Sequence, residues 1–147
     1  MSVDGPARRT DRARARLAVA LVPFALPWSV QLFSRADATL LFPWGLVNTS
    51  PPTVTTLYGF LFVYTAGLPG FVVSWPLSVC CALVGVAGVA VGAATGREDR
   101  RVTAAAFACA GVAQLSLAWG FSLQPSRTAW PTGTLVCWVV ALVLVRR

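Results

Sequence analysis

Four long stretches of this chain contain no Asp, Glu, Lys or Arg. They are 17–34, 38–96, 102–126 and 128–145, with 18, 59, 25 and 18 residues. A helix of about 20 mainly apolar residues crosses the hydrocarbon core of a bilayer. The pattern therefore predicts four transmembrane helices, at about 17–34, 76–95, 102–121 and 129–145.

The segment 53–74 is uncharged and long enough to cross, but Gly67, Pro69 and Gly70 interrupt it. If it crossed, a cytoplasmic N-terminus would place the Arg residues of 97–101 and of the C-terminus outside, against the positive-inside tendency. If it only dips into the outer leaflet, ten of the twelve Arg residues lie inside. We therefore predict a re-entrant or interfacial helical segment on the outer side, and whether 53–74 spans the membrane stays open.

The predicted fold class is an all-α membrane protein with four transmembrane helices and this additional outer segment. Residues 1–16 are expected to form a basic cytoplasmic tail, and 17–147 a single transmembrane helical-bundle domain. Because most Arg residues flank the inner ends of the helices, we expect a multi-pass cell-membrane protein with both termini in the cytoplasm.

Composition supports the membrane location and narrows the partners. Of 147 residues, 56% are apolar and only 12% are charged, whereas about 25% are charged in typical soluble domains. The mean hydropathy is +0.70 and the net charge is +7. In a soluble domain such a charge would indicate nucleic acid. Here the Arg residues lie at predicted helix ends, so we expect the lipid bilayer, and no nucleic acid, as the partner.

Tryptophan is concentrated near the predicted outer ends of the helices, where amphipathic rings anchor a protein at the interface. An aromatic cap formed by loop 35–52 and segment 53–75 is the alternative interpretation. Asn48 begins an N-glycosylation pattern on the outer side, or a plain turn before Pro51. The predicted interface aromatics are Trp28, Trp44, Trp75, Trp119 and Trp130.

Glycines recur at helical spacing in the predicted span 76–95. Two consecutive G-x-x-x-G patterns, with Gly111 in the following span, let a neighbouring helix approach closely. We predict packing within one chain, with a homo-oligomer seam as the alternative. The predicted helix-packing residues are Gly85, Gly88, Gly92, Gly96 and Gly111.

Residues able to carry out chemistry are sparse. No ionisable Asp, Glu, Lys or Arg lies within the apolar spans and the sequence has no His, which argues against ion pathways and His-based catalysis. Gln31 and Gln114 either hydrogen-bond between helices or line a substrate path. We predict no catalytic residue, cofactor or metal site. A membrane thiol oxidoreductase stays open because there are four cysteines, Cys80, Cys81, Cys109 and Cys137.

Five strings of the sequence point to a family together. They are FPWGLVN (42–48), YTAGLP (64–69), WPL (75–77), GREDRRVTA (96–104) and QP (124–125). On these strings the chain resembles an uncharacterised family of small multi-pass membrane proteins of haloarchaea, encoded near archaeosortase A. The resemblance implies an archaeal cell membrane and a link to surface-protein anchoring, and it implies no active site.

The expected function is therefore that of a non-catalytic integral membrane protein. It would act as an accessory or assembly partner of another membrane protein, in archaeal surface-protein processing. The alternative is a passive transporter or permease-like subunit for a lipid or small solute, which would require an open cavity between the helices.

Overall fold

The computed structural model describes residues 5–146. Its helices are Pro6–Ala25 (α1), Ser74–Thr95 (α2), Arg100–Ser122 (α3) and Thr132–Arg146 (α4). Its strands are Ser29–Phe33 (β1), Ala38–Phe42 (β2), Gly45–Thr49 (β3), Pro52–Thr56 (β4) and Arg127–Trp130 (β5). Between β4 and α2 the chain forms a π-helical turn, Gly59–Val63, and a 3-10 turn, Gly70–Val73. α1 begins within the segment that the sequence assigns to a basic tail, of which residues 1–4 lie outside the described residues.

The strands form one antiparallel sheet in the order β4-β3-β2-β1-β5. A short turn connects each of the strands β1, β2 and β3 to the next strand in the chain. Residues that favour turns occupy these connections. Pro43 and Trp44 alone connect β2 to β3, and Ser50 and Pro51 connect β3 to β4 through a cis peptide bond. β5 comes from a distant part of the chain and pairs with β1 at the other edge.

The predicted all-α fold class is wrong. The predicted span 17–34 divides into α1, which ends at Ala25, and β1. The predicted helical segment 53–74 contains β4 and two short turns in place of a continuous helix. Five-residue strands rich in apolar residues are as uncharged as a helix, so the absence of charge over a stretch does not distinguish the two.

The prediction of four membrane crossings, and with it the multi-pass description, is also wrong. Among residues 5–146, two helical stretches are long and apolar enough to cross a membrane, Gly70–Thr95 and Arg100–Ser122. α1 carries five Arg residues within its first eleven positions, and α4 has only 15 residues. The charge-free stretches 17–34 and 128–145 contain residues of β1 and β5 as well as helix residues, so the apolar parts of α1 and α4 are short.

The four helices pack as a bundle. α2 packs on α3 and α3 on α4, and α1 completes the ring against α2 and α4. The Arg16 guanidinium donates to both carboxylate oxygens of Glu98, at 3.1 and 2.7 Å, and to the carbonyl of Leu144 at 3.0 Å. These bonds hold the middle of α1, the α2–α3 turn and the end of α4 together. We call this end of the bundle the basic end and the opposite one the sheet end.

The turn between α2 and α3 has clear local causes. Gly96 ends α2 with a φ of 72°, a left-handed conformation that glycine adopts without strain. Asp99 precedes α3, and its side chain accepts hydrogen bonds from the backbone N–H groups of Arg101 and Val102, at 3.0 and 3.3 Å. These bonds satisfy donors that have no partner within the helix.

The sheet packs on the sheet end of the bundle. Leu41 and Leu46 of the sheet join Val72, Trp75 and Leu117 in a buried cluster. The indole N–H of Trp75 donates to the carbonyl of Phe42 at 3.1 Å, which connects α2 to β2 directly. A separate cluster fills the interior of the bundle. The result is a helical layer with a sheet layer across one end.

Candidate functional site

One face of the sheet turns toward the bundle, and its side chains build the candidate site. Side chains alternate between the two faces of a strand, so Gln31 and Phe33 of β1 share this face. The register places Thr39 of β2 opposite Gln31, and Asn48 of β3 opposite Thr39. On the other side of β1, Arg127 of β5 lies opposite Phe33. Polar side chains from four strands thus form a continuous patch.

A cavity of about 470 Å³ lies over this patch, and we call it the sheet cleft. Its apolar walls come from the sheet, the 57–73 segment and the ends of α2 and α3, and they include Leu41, Leu46, Phe60, Trp75 and Phe121. Its polar lining includes Gln31, Thr39, Asn48, Gln124 and Arg127. Mainly apolar walls with a few convergent polar groups are typical of sites for small molecules.

Arg127 supplies a fixed cation. Its guanidinium carbon lies 4.7 Å from the ring centroid of Phe33 and 5.3 Å from that of Phe121, which are cation–π distances. Burial lowers the pKa of Arg127 from its ordinary value, but a guanidinium stays charged at neutral pH. Within residues 5–146 no carboxylate forms a salt bridge with it. Its positive charge is therefore available to a ligand.

Gln31 supplies a buried amide. Its side chain is 2% exposed, and its Nε2 has no hydrogen-bond partner among the described residues. A buried polar group without a partner costs about 1–3 kcal/mol. Both polar side-chain atoms of Gln114, on α3, are also buried without a hydrogen-bond partner among the described residues. Gln114, however, does not line the sheet cleft. Gln31 is thus a buried, unpartnered amide among the residues that line the cleft.

Asn48 lies in a hydrogen-bonded row across three strands. Its Oδ1 accepts a hydrogen bond from the hydroxyl of Thr39 at 2.7 Å, and its Nδ2 donates to the hydroxyl of Thr53 at 3.0 Å. The atom that a glycan would modify is therefore engaged in the folded sheet. Glycosylation at Asn48 stays a prediction.

A second cleft, of about 560 Å³, adjoins the sheet cleft and shares Thr39, Asn48 and Arg127 with it. Its own residues include Arg35 and Asp37. The polar part of the sheet cleft therefore adjoins a more polar cleft.

Residues 2–147 match a family described as a domain of unknown function (DUF8050). The chain belongs to this family. Neither a curated protein nor a solved structure matches it. The family description assigns no activity, so the resemblance to haloarchaeal proteins encoded near archaeosortase A stays a prediction.

In this DUF8050 chain three of the five predicted packing glycines, Gly85, Gly88 and Gly111, are close to side chains of a neighbouring helix. Gly92 lies against Glu98 in the α2–α3 turn, and a Cβ added at Gly96 would have nothing within 4 Å. A Cβ added at Gly85 would lie 2.5 Å from the ring of Phe107, and one at Gly88 would lie 2.6 Å from the hydroxyl of Thr103. Only a hydrogen in place of a side chain permits such approaches. The contacts are Gly85 with Phe107, Gly88 with Thr103, Gly92 with Glu98, and Gly111 with Trp138.

The five tryptophans predicted at the interface divide into two groups. Trp28 and Trp75 are 0% and 1% exposed and belong to the buried clusters. The indole N–H of Trp28 donates to the carbonyl of Pro23 at 2.7 Å. Three others, Trp44, Trp119 and Trp130, are 48%, 70% and 58% exposed.

The cysteines are free thiols. Cys80 and Cys109 are exposed, Cys81 is half-buried and Cys137 is buried. None of them lines the sheet cleft. Within residues 5–146, no group of three His, Cys, Asp or Glu side chains is placed to hold a metal ion.

Sequence reasoning named Gln31 and Asn48 but missed the cation that completes the site. Arg127 is one of the two Arg residues that the four-helix prediction leaves on the outer side. No local pattern indicates its pairing with β1, which joins residues 94 or more positions apart. A local signal for the sheet does exist. The run Thr53-Val54-Thr55-Thr56 is entirely β-branched, which favours a strand over a helix.

Proposed function

We propose that this chain is a non-catalytic, membrane-embedded binding protein whose sheet cleft holds a small amphipathic anion. The observation that carries the proposal is the pairing, in one cavity, of a buried unpartnered amide at Gln31 with a cation at Arg127. The helical layer holds this cleft at one surface of the bilayer.

The membrane placement is supported by apolar side chains that face outward. In the apolar windows of the two candidate spans only 22% and 44% of residues are buried, whereas the core helix of a soluble protein is mostly buried. Leu83 and Val84 on α2, Val112 on α3 and Leu142 on α4 are each more than half exposed. Extended exposed apolar surface requires an apolar environment, and a bilayer supplies it around the helical layer.

The orientation is supported by the charges at the two ends. The N-terminal end of α1, the α2–α3 turn and the end of α4 carry Arg residues at the basic end. Arg35 and Arg127 are the Arg residues at the sheet end. Basic residues concentrate on the cytoplasmic side, so we place the basic end in the cytoplasm and the sheet cleft at the outer surface.

The ligand chemistry follows from the lining. Leu46, Phe60 and Trp75 offer an apolar surface of limited size, which suits a short hydrocarbon or ring. Arg127 presents N–H donors in a planar fork that matches a carboxylate or phosphate, and Gln31 adds an amide at the same cavity. A molecule with an anionic head and a short apolar body satisfies all of these groups at once.

Binding is favoured over catalysis and over transport. The described lining of the sheet cleft contains hydroxyl groups, among them those of Thr39 and Tyr64, but no carboxylate, imidazole or amine that could act as a general base to activate them. The seam between α2 and α3 is filled by Phe107 and Thr103, which weighs against a solute path along it. The accessory role toward another membrane protein stays a prediction.

Calorimetric titration of octanoate tests the sheet cleft, with the protein in nanodiscs of phosphatidylcholine and octanol as the uncharged comparison. We expect octanoate to bind and Arg127→Gln to weaken it by about tenfold or more, since a hydrogen bond to a charged group contributes about 1.5–3 kcal/mol. Arg35→Gln is the matched control, because it removes the same charge at the same end but lies outside the sheet cleft.

Equal weakening by the two variants would refute the role of Arg127, because it would reflect only the charge at the sheet end. Octanol binding as tightly as octanoate would refute an anionic ligand. The unfolding temperature of each variant without ligand separates loss of binding from loss of fold.

Labelling with an impermeant thiol reagent tests the placement. In a background without native cysteines, we expect a cysteine introduced at Thr49, exposed on β3, to react from outside the cell. A cysteine at Asp99, in the turn at the basic end, should react only after the membrane is opened. Reaction of position 99 in intact cells would contradict the orientation.

A further inference from the structure

A second, strongly basic cleft lies at the opposite end of the molecule from the sheet cleft. Its volume is about 400 Å³, and we call it the basic cleft. Four parts of the chain converge on it: the first eleven residues of α1, the C-terminal half of α2, the α2–α3 turn and the start of α3. Its charged side chains are Arg9, Arg12, Arg16, Glu98 and Arg100.

The arginines of α1 reach this cleft because of their spacing. Arg9, Arg12 and Arg16 are three and four positions apart, which places them on one face of the helix. Arg100, in the first turn of α3, adds a fourth guanidinium from the far side of the cleft. The floor is apolar and consists of α2 residues, among them Val89, which is 1% exposed.

One of the four guanidinium groups is already paired. Arg16 forms a bidentate salt bridge with Glu98, and both side chains are largely buried. Gly92 makes this pair feasible, because a Cβ at that position would lie 2.5 Å from the Cβ of Glu98. The Arg16–Glu98 pair therefore builds the wall of the basic cleft.

The remaining three guanidinium groups give the cleft its charge. Arg9, Arg12 and Arg100 are exposed, and among residues 5–146 no carboxylate lies within 4.0 Å of them. With four Arg and one Glu in the lining, 4 − 1 gives a net charge of +3. A compact anion with several acceptor oxygens can bridge guanidinium groups from two different helices, and phosphate has that form.

We propose that the basic cleft binds the phosphate group of an anionic phospholipid. The same chemistry would accept free phosphate, but the apolar floor of α2 and the exposed apolar surface beside it favour a headgroup with acyl chains attached. The inference rests on the membrane placement proposed above, and it is independent of the ligand of the sheet cleft. The lipid would join α1 to α3 across the end of α2 at the cytoplasmic surface.

Native mass spectrometry of the protein in maltoside micelles tests this inference, with phosphatidylglycerol titrated as the probe. We expect one phosphatidylglycerol to bind per chain, and phosphatidylcholine to bind more weakly. Arg12→Gln with Arg100→Gln should weaken phosphatidylglycerol binding by about tenfold or more, since each basic residue near an anionic lipid contributes about 1 kcal/mol.

The matched control is Arg14→Gln with Arg101→Gln. It removes the same two charges from the same two helices, but Arg14 and Arg101 do not line the basic cleft. We expect it to weaken binding by less than about threefold, by the general loss of surface charge. Arg12→Lys with Arg100→Lys keeps the charge without the planar fork, and should fall between the two pairs.

Equal weakening by the cleft pair and the control pair would overturn the proposal. Inorganic phosphate that displaces phosphatidylglycerol at equal concentration would overturn the assignment to a lipid. If the glutamine pair unfolds, the single variants Arg12→Gln and Arg100→Gln decide: binding by both that matches the unsubstituted protein would also overturn it. If the protein does not enter neutral nanodiscs, the membrane placement is contradicted. If it enters them, but the cleft pair and the control pair weaken phosphatidylglycerol binding equally, only the lipid site is refuted.

Discussion

At the scale of single residues, hydrogen bonding distinguishes the buried polar side chains that have a structural role from those that could bind a ligand. Ser78 donates to the carbonyl of Ala110 at 3.0 Å, and Thr134 donates to that of Gly111 at 2.8 Å. Both are buried and satisfied, so they fasten α3 to its neighbours. Gln31 and Gln114 are equally buried but have side-chain atoms without partners among the described residues. Gln31 differs from Gln114 because it lines the sheet cleft.

Replacement of these two glutamines by methionine distinguishes the roles. Methionine is similar in volume and removes the unpaired polar atoms, so we expect each of Gln31→Met and Gln114→Met to raise the free energy of unfolding by about 1–3 kcal/mol. Gln31→Met should also weaken octanoate binding by about tenfold, since it removes one hydrogen bond to the charged ligand, while Gln114→Met should leave binding unchanged. Chemical denaturation and calorimetry measure the two effects on the same samples.

The comparison between the variants is decisive for the sheet cleft. If Gln31→Met binds octanoate as tightly as the unsubstituted protein does, the buried amide does not contact the ligand. If Gln114→Met loses binding to the same extent, the loss comes from the bundle and not from the cleft.

At the scale of elements, the seam between α2 and α3 depends on residues without side chains. Gly85 allows the ring of Phe107 to lie against the backbone of α2. Phe107 is fully buried, so its ring has little room to move away. In packing as close as this, even a single added methyl group causes strain.

We expect Gly85→Ala to lower the free energy of unfolding by about 1–2 kcal/mol. Overpacking costs about 1–3 kcal/mol, and the higher helix propensity of alanine returns up to about 1 kcal/mol. In a Phe107→Leu background, the added methyl group has room, and the same substitution should be neutral or stabilising. Thermal or chemical unfolding of the four proteins gives the coupling energy, and identical effects of Gly85→Ala in both backgrounds would show that the two positions do not contact each other.

At the scale of the whole molecule, charge and apolar surface are arranged along one axis. The basic end, the apolar helical layer and the sheet layer follow one another. The exposed tryptophans, including Trp44, Trp119 and Trp130, are in the sheet layer or close to it. Trp28 lies in the same region but is enclosed by the fold. In a bilayer, the exposed tryptophans would contact lipid or the interface, whereas Trp28 would not.

Quenching of tryptophan fluorescence by phosphatidylcholine brominated on its acyl chains tests this arrangement. We expect Trp119→Phe to reduce the quenched fraction clearly, because Trp119 is 70% exposed near the sheet end of α3. Trp28→Phe should not reduce it, since Trp28 is 0% exposed. An unchanged quenched fraction in Trp119→Phe would contradict the placement of the helical layer in lipid.

The local elements that the sequence predicted best are those with strong local causes. The helices near 76–95 and 102–121 are present as α2 and α3, with a glycine and a capping aspartate between them, because apolar length and capping signals act within a few residues. The hairpins were not predicted: the segment 35–52, expected to be a loop, contains β2 and β3, with Pro43 in the tight reversal between them. In a short apolar run, the sequence pattern does not distinguish a strand from a helical segment.

The sequence by itself determined the apolar surface, the charge distribution along the chain and the glycine seam, because each depends on composition or on helical spacing. Only the tertiary structure decided that β5 pairs with β1, that Arg127 therefore meets Gln31 in one cavity, and that Arg100 faces the arginines of α1. Contacts between residues far apart in the chain arise from the packing of whole elements, and no local pattern specifies which distant element will supply the partner.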